Sequence, residues 1–274
     1  MAENNKQKDE MAPGFMPAGI PKVDSAKVPE SGVIDTDVVV IGGGGAGIPA
    51  CLQALEDGAR VVLLEKRNKA GGNAIMARGI FGCETDVLRK AFVYTDKDEI
   101  FTNAMRWHHY DRVNGKLLRA YINQSGETID WIMKRGIQFE VNTTTRMHYN
   151  QDPTWHCVVG GNMAKAMSAL FRDALDKGLK PYFETKVEEI LMKDNKAVGV
   201  RAVHDGKELI VNAKSIIVTT GGFLPVEEKV REYYPAYSSE SFGGFMIKDN
   251  TGDGIELGVP LGELRQRGEQ GPGV

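Results

Sequence analysis

The stretch that decides the fold of this chain is Val38-Val39-Val40-Ile41-Gly42-Gly43-Gly44-Gly45-Ala46-Gly47. Four β-branched residues run into a glycine cluster, and residues 48–56 are compatible with a helix. This order predicts a strand, a tight turn and a helix. In such a unit Gly42 permits the turn, Gly44 lets the backbone approach a pyrophosphate, and Gly47 lets the helix lie on the strand. Amide groups at the start of the helix then face the phosphates.

A second predicted strand, residues 60–64, ends at Glu65, which lies 23 positions after Gly42. A βαβ nucleotide-binding unit places an acid there to bind a ribose. An exposed charge at a strand end is the alternative, and the glycine turn at this distance favours the ribose role. Gly71-Gly72-Asn73 and Ala77-Arg78-Gly79 follow. Small residues with one amide are typical of a loop around a flat ligand, although a plain surface turn has a similar composition.

The composition indicates an ordinary globular protein, with 42 % hydrophobic and 26 % charged residues in a chain of 274. A net charge of −3 gives no sign of a nucleic-acid or anionic membrane partner. The three cysteines, Cys51, Cys83 and Cys157, fit neither a disulfide framework nor a zinc motif, which favours reduced thiols. No apolar run reaches membrane-spanning length, and no export signal is recognised. We therefore expect a cytoplasmic protein with no membrane or nucleic-acid partner.

The remaining patterns divide the chain into segments. Residues 1–34 are polar and proline-containing, which predicts a flexible leader. A nucleotide-binding domain is expected over residues 35–262, with a helical insert at about 84–150 and a β-meander at about 182–211, followed by an irregular tail over 263–274. After the meander, a buried strand of parallel type over 215–218 leads into a second glycine turn, Thr219-Thr220-Gly221-Gly222. The predicted fold class is α/β, Rossmann-like, with a central parallel sheet.

Three polar motifs have competing interpretations. His108-His109 has no further ligand placed to converge with both rings, so no metal site is predicted. His156-Cys157 lacks a third group, which disfavours a nucleophile pair, and Asn162 is predicted to cap a helix over 163–177. In Gly252-Asp253-Gly254 the acid could cap a helix or bind a ligand, and the composition leaves both open.

Together these motifs resemble the fumarate reductase/succinate dehydrogenase flavoprotein family. The similarity is greater to its soluble branch of flavocytochrome-type fumarate reductases, urocanate reductases and 3-ketosteroid dehydrogenases. It covers residues 36–262 and rests on several motifs in one order. The resemblance implies an FAD-binding domain over 35–262. The implied FAD-binding residues are Gly42, Gly44, Gly45, Ala46, Gly47, Glu65, Lys66, Gly71, Gly72, Asn73, Ala77, Arg78, Gly79, Val187, Thr219, Thr220, Gly221, Gly252, Asp253 and Gly254.

The resemblance also implies where these residues lie along FAD. The turn at 42–47 would hold the pyrophosphate, Glu65 the adenosine ribose, and the stretch 71–79 the pyrophosphate and flavin. Val187 would contact adenine through its backbone, and Thr220-Gly221 would close over the adenosine side. Asp253 would reach the ribityl or phosphate region.

The chain departs from the family pattern at three places. Residues 71–85 contain no histidine, the residue that binds FAD covalently in the membrane-bound branch, so non-covalent FAD is expected. Ala74 replaces the usual Ser or Thr, and Thr219 replaces an Ala. Segments that carry the family's catalytic arginine and the closing part of the flavin site are not recognised. We therefore expect a chain truncated before the capping domain and leave the catalytic residues unassigned.

The function implied by the resemblance is an FAD-dependent oxidoreductase that moves a hydride between the flavin and an activated C–C bond of a small-molecule substrate. The electron donor is not indicated. Two alternatives remain open, namely a non-catalytic or incomplete FAD-binding fragment and an NAD(P)-dependent dehydrogenase. The second glycine turn and Gly252-Asp253-Gly254 disfavour the dehydrogenase, because a simple nucleotide-binding domain needs neither.

Overall fold

The computed structural model describes residues 20–111, 113–141, 154–235 and 247–262. Residues 1–19 of the predicted leader, the predicted tail over 263–274, and part of the predicted helical insert lie outside this range. The strands, in chain order, are β1 (Val33–Ile41), β2 (Val61–Leu64), β3 (Gly79–Phe81), β4 (Phe139–Val141), β5 (Trp155–Val158), β6 (Lys180–Tyr182), β7 (Thr185–Lys193), β8 (Lys196–His204) and β9 (Lys207–Val218).

The α-helices lie between these strands and after β9. They are α1 (Gly47–Glu56), α2 (Asp86–Lys90), α3 (Lys97–Trp107), α4 (Gly115–Met133), α5 (Met163–Asp176), α6 (Glu227–Tyr233) and α7 (Asp253–Gly258). Two short 3₁₀ segments, Gly72–Met76 and Val259–Leu261, complete the described elements. The predicted cap of α5 is confirmed, because the Asn162 side chain accepts a hydrogen bond from Ala164 N–H at 3.0 Å.

Six strands form the main sheet in the order β6-β2-β1-β9-β8-β7. β6, β2, β1 and β9 are parallel, with Val38 opposite Val61 on one side and Ser215 on the other. β7, β8 and β9 are antiparallel and form the predicted meander. The α/β fold with a central parallel sheet is therefore confirmed, and its β1-turn-α1 unit lies in the middle of the sheet.

The predicted parallel strand over 215–218 is present and pairs with β1, but it is not separate from the meander. The third strand of the meander and this stretch form one continuous strand, β9, which pairs with β8 at its start and with β1 along most of its length. Its end is also less buried than expected, because Val218 is 42 % exposed and lines the edge of a cleft. Strand β9 thereby joins the meander directly to the parallel sheet.

A second sheet, in the order β3-β5-β4, lies beside the helices of the predicted insert. The pattern over 84–150 predicted helices, and α2, α3 and α4 are present, but β4 was not predicted. Each of these strands has only three or four residues, too few to show an alternating pattern in the sequence.

Two apolar clusters lie on opposite faces of the main sheet. Successive residues of β1 belong to different clusters, because side chains of a strand alternate between its faces. Val40 belongs to the first cluster, and Val39 and Ile41 belong to the second. Helices α1 and α5 cover the first face, and the meander side chains and Leu257 of α7 belong to the second. This packing holds the carboxyl ends of β1, β2 and β9 at one edge of the sheet.

The first described residues, 20–32, lie against the domain. We refer to them as the N-terminal segment. Ile20 and Val23 pack against the first cluster, and Ala26 and Val28 pack against the second. Ala26 N–H donates a hydrogen bond to the Pro181 carbonyl on the outer edge of β6. The predicted leader is therefore packed against the sheet from Ile20 onward.

Replacing Leu170 by alanine should lower the free energy of unfolding by about 3–5 kcal/mol, because this fully buried residue of α5 would leave a cavity under the sheet. Leu117→Ala is a matched control, since Leu117 lies in α4 and is 68 % exposed. The Leu117→Ala substitution should change the free energy of unfolding by less than about 0.5 kcal/mol. Urea unfolding followed by circular dichroism measures both, and similar losses would contradict the assigned core.

Candidate functional site

A cleft of about 360 Å³ opens at the carboxyl ends of β1, β2 and β9. In open α/β sheets this edge is where ligands bind. Thirteen of the predicted site residues line it, namely Gly42, Gly44, Gly45, Ala46, Glu65, Lys66, Gly72, Asn73, Val187, Thr219, Thr220, Gly221 and Asp253. Residues as far apart in the chain as Gly42 and Asp253 are therefore brought to one place.

The other seven predicted residues lie elsewhere. Ala77 and Gly79 line a second cavity of about 680 Å³, and Gly254 lines a third. Gly47, Gly71, Arg78 and Gly252 line none of these three cavities, and Arg78 is exposed. Gly71 and Gly252 are instead packed against other parts of the fold.

The glycine turn is packed too tightly for side chains at two of its positions. Gly42 has φ of +100°, and a Cβ there would lie 2.6 Å from the Thr219 carbonyl oxygen. A Cβ on Gly47 would lie 1.8 Å from the Gly42 carbonyl oxygen. At Gly44, by contrast, the nearest atom to a Cβ would be 3.8 Å away, which is an ordinary van der Waals contact. The packing at Gly42 and Gly47 fits the steric roles predicted from the sequence.

Glu65 ties the turn to the end of β2. Its side chain lies in the cleft wall, and the residue is only 8 % exposed. Gly43 N–H donates to Oε2 at 2.7 Å, and Arg67 N–H donates to Oε1 at 2.9 Å. A carboxylate has about four acceptor positions, so two remain for the hydroxyl groups of a ligand.

Thr219 explains one departure from the family pattern. Its hydroxyl lies 2.8 Å from the Gly42 carbonyl oxygen and 2.9 Å from that of Ile41, and it donates toward both. The alanine usual in the family could not make this bond. The threonine therefore fastens the end of β9 to the glycine turn.

A charged network crosses the cleft from β2 to α7. Lys66 Nζ donates to Thr251 Oγ1 at 2.7 Å and to Asp253 Oδ2 at 2.9 Å. Thr251 O–H donates to the other oxygen of Asp253. Asp253 is the first residue of α7 rather than its cap, because the cap position is Gly252. Burial raises the pKa of Asp253, but the hydrogen bonds from Thr251 and Lys66 and the nearby lysine charges outweigh it, so this pKa lies below its usual value.

Residues 247–250 form a wall of the cleft that the sequence analysis missed. Asn73 Oδ1 accepts a hydrogen bond from Ile247 N–H at 2.8 Å, and Arg67 Nε pairs with Asp249 at 3.0 Å. Other lining residues absent from the prediction are Ile41, Ala74, Thr185, Val218, Gly222 and Asn250. Arg67 directly follows Glu65-Lys66, a position that could have suggested it. No local sequence pattern marks residues 247–250 as a wall of the cleft, because the residues that they contact are far away in the chain.

The second cavity lies on the other side of the 3₁₀ turn Gly72–Met76 and shares Gly45 and Ala74 with the cleft. Its walls come from the start of α1, from β3, and from one face each of α4 and α5, including Trp131 and Met163. The two cavities therefore meet at the end of the glycine turn.

His156-Cys157 has no catalytic geometry. His156 is fully buried in β5, with Nε2 2.7 Å from Thr85 Oγ1 and Nδ1 donating to the Thr154 carbonyl at 3.1 Å. Burial lowers the pKa of His156, although the bond to Thr154 acts in the opposite direction. Neighbouring side chains of a strand point to opposite faces, so Cys157 does not face the ring. His156 is a hydrogen-bonded core histidine.

Among the described residues, no cluster of three or more His, Cys, Asp or Glu side chains is arranged to hold a metal ion. Within the same ranges, no helix has the length and apolar character needed to cross a membrane.

Glu65→Gln should lower the free energy of unfolding by about 1–3 kcal/mol, because an amide presents one acceptor oxygen and one NH₂ group to two backbone N–H donors. Glu208→Gln, on the exposed start of β9, is the matched control and should change it by less than about 0.5 kcal/mol. Urea titrations of the two variants measure the difference. An equal, small effect would show that the two bonds to Glu65 do not hold the turn.

Asp253→Asn should lower the free energy of unfolding by about 1–3 kcal/mol at neutral pH, because Lys66 loses a charged acceptor. The folded pKa of Asp253 is depressed, so its contribution is complete above the unfolded pKa near 3.8 and is lost as the pH falls through the folded value. The difference between wild type and variant should thus stay constant from about pH 7 to pH 5 and shrink below about pH 4.

Urea unfolding at several pH values checks this prediction for Asp253. Asp24→Asn, at an exposed site of the N-terminal segment, serves as the control. A stability difference between wild type and Asp253→Asn that persists unchanged in acid would contradict the charged network.

Comparison with known proteins agrees with this geometry. A model of the family described as FAD binding domain matches residues 37–265. The NADH:fumarate oxidoreductase of Klebsiella pneumoniae (strain 342) is 37 % identical over 232 residues, which are 81 % of this chain and 24 % of that protein. A fumarate reductase (cytochrome) of Shewanella frigidimarina is 29 % identical over 237 residues, 82 % of this chain and 40 % of that protein. The chain thus spans less than half of the length of these relatives.

Solved structures show the same fold. The open conformation of a flavocytochrome c3 fumarate reductase superimposes with a TM-score of 0.76 at 24 % identity, over 83 % of this chain and 40 % of that chain. The family match covers the glycine turn, Glu65 and Asp253, and it confirms the resemblance found in the sequence. This chain belongs to the FAD binding domain family.

Proposed function

We propose that this chain is the FAD-binding part of a flavin-dependent reductase that moves a hydride between the flavin and an activated C–C bond of a small-molecule substrate. The observation that carries the proposal is the match of the FAD binding domain family to residues 37–265, which contain every residue of the cleft. The substrate class follows from the names of the relatives, two of which are fumarate reductases. Because the chain spans only 24 % and 40 % of those two proteins, the reaction itself is part of the proposal.

The residues of the cleft fit the phosphate and ribose groups of FAD. At the start of helix α1, Ile48 N–H donates to the Gly44 carbonyl, Ala50 N–H donates to the Ala46 carbonyl, and Pro49 has no N–H. The N–H groups of Gly45 and Ala46, which line the cleft just before the helix, are those available to a pyrophosphate. Gly44 also lines the cleft, and its lack of a side chain lets the backbone approach that group. Glu65 retains acceptor positions for ribose hydroxyls. Backbone donors, an acid and a glycine-lined wall are together the chemistry that the dinucleotide requires.

The two cavities suggest how a long cofactor would lie. The cleft is lined by Glu65 and Val187, which we assign to the adenosine half. The second cavity is lined by Ala77 and Gly79, which we assign to the flavin half. Since the cavities share Gly45 and Ala74, a dinucleotide held at the glycine turn would extend into both. With no histidine in residues 71–85, we propose that FAD is held without a covalent bond.

Bound FAD supplies the hydride chemistry, and the residues of this chain bind and orient it. The backbone amides of Gly45 and Ala46 and the dipole of α1 would offset phosphate charge. The apolar walls of the second cavity, from Ile80, Ile132 and Met163, would keep water from the reacting ring. We assign no residue of the chain to proton transfer, and an incomplete fragment that binds FAD without turnover remains the alternative.

Gly44→Ala should weaken FAD binding by about tenfold or more, because the added methyl group would occupy the space assigned to the pyrophosphate. Its free energy of unfolding should change by less than about 0.5 kcal/mol, since no protein atom lies within 3.8 Å of that Cβ. Gly115→Ala, at the start of α4 with ordinary contacts, is the control and should leave FAD binding unchanged. Quenching of flavin fluorescence on titration with protein gives the dissociation constants.

The wild-type chain separates the proposed reductase from its alternatives. A yellow protein that retains FAD and oxidises a reduced viologen when fumarate or another activated alkene is added would support the reductase. Bound FAD without such turnover would favour the incomplete fragment. A colourless protein that binds NADH instead would contradict the proposal.

A further inference from the structure

The N-terminal segment lies along the β6 edge of the main sheet. Strand β6 is an edge strand, paired only with β2 among the described strands. Ala26 N–H bonds to the Pro181 carbonyl at 2.7 Å, and Ser25 Oγ accepts a hydrogen bond from Phe183 N–H at 3.1 Å. These two bonds fix the path of the segment past the end of β6.

From that anchor the segment reaches the back of the Gly71 loop. A Cβ on Gly71 would lie 2.7 Å from Cδ1 of Ile20 and 3.5 Å from its Cγ1. The Ile20 side chain therefore fills the space directly beside the Gly71 backbone, in contact with its Cα side. Ile20 is only partly buried, and it packs against the first apolar cluster.

The front of the same loop forms a wall of the cofactor cleft. Gly71 N–H donates to the Gly43 carbonyl at 2.7 Å, which ties the loop to the glycine turn. A Cβ on Gly72 would lie 3.0 Å from the Cα of Gly44, so the two backbones are in close contact. The 3₁₀ turn that follows separates the cleft from the second cavity.

The Gly71 loop therefore has two contacts that hold it. The hydrogen bond to the Gly43 carbonyl ties its front to the glycine turn, and the Ile20 side chain packs against its back. Gly72 and Asn73 of this loop line the cleft beside the glycine turn, where the pyrophosphate is assigned under the proposed function. The position of this wall depends on how firmly the loop is supported, because Gly71 and Gly72 both have positive φ and lack side chains of their own to pack.

We propose that Ile20 is a positioning residue for FAD. It acts through Gly71 and sets the distance between the Gly71–Gly72 backbone and the glycine turn. This inference rests on the proposed function, since it concerns the cofactor assigned to the cleft. The N-terminal segment thereby becomes part of the cofactor site, although none of its residues lines the cleft.

A purely structural role for Ile20 predicts a different outcome. If the side chain only added apolar contacts to the core, its loss would lower stability and would affect every ligand equally. If it positions the loop, its loss should affect FAD more than AMP, because residues 71–79 are assigned to the pyrophosphate and flavin, and AMP has only one phosphate and no flavin. The ratio of the two affinities therefore distinguishes the roles.

The experiment uses the full chain with Ile20→Ala, Ile20→Val and Val28→Ala. Ile20→Val deletes Cδ1, the Ile20 atom that lies closest to Gly71, at little cost to folding. Val28→Ala is the matched control, because Val28 belongs to the same segment but packs against the cluster on the other face of the sheet. Dissociation constants for FAD and AMP are measured by fluorescence titration and calorimetry, with urea unfolding of each variant alongside.

We expect Ile20→Ala to raise the FAD dissociation constant by about three- to tenfold and that of AMP by less than about twofold. Ile20→Val should shift FAD affinity in the same direction by a smaller factor, and it decides the question if Ile20→Ala does not fold. Val28→Ala should lower stability without changing either constant. Unchanged FAD affinity in the Ile20 variants, or equal losses for FAD and AMP, would overturn the inference. A wild-type chain that binds no FAD would instead refute the proposed function.

Discussion

The close approach of α1 to the end of β1 is the constraint on which the rest of the structure depends. A Cβ on Gly47 would overlap the Gly42 carbonyl oxygen, so the helix can start where it does only because that position has no side chain. The lack of a side chain at Gly47 also leaves space for the Thr219 hydroxyl, which bonds to the turn and fastens β9 to it. The sheet edge, the cleft and the direction of the helix dipole all follow from this contact.

The polar groups of the cleft are largely organised by bonds within the protein. Glu65 accepts from two backbone amides, Asn73 from Ile247, and Asp253 from Lys66 and Thr251. Such bonds hold side chains in fixed positions before a ligand arrives, which reduces the entropy lost on binding. They also join three separate parts of the chain, so the site is a product of the whole domain rather than of the glycine turn alone.

Some elements of this fold could be predicted from the sequence and others could not. The β1-turn-α1 unit and Glu65 were predictable, because glycines, β-branched residues and an acid at a set spacing report a local geometry. The fusion of two predicted strands into β9 was not, since a long strand changes partners from β8 to β1 without any break in composition. Strand β4 was not predicted, because a strand of three residues is too short to show an alternation of apolar and polar side chains. The packed N-terminal segment resembled a flexible leader, since its few apolar side chains have no regular spacing.

The sequence by itself determined the kind of site, because the strand–turn–helix unit and the ribose-binding acid are set by residues close together in the chain. The order of the later motifs then identified the flavoprotein family. Only the tertiary structure decided which side chains meet across the cleft. Lys66 and Asp253 are 187 positions apart, and their contact depends on the sheet that brings both strand ends to one edge. The support of Gly71 by Ile20 has the same origin, because packing between distant segments leaves no periodic trace in the sequence.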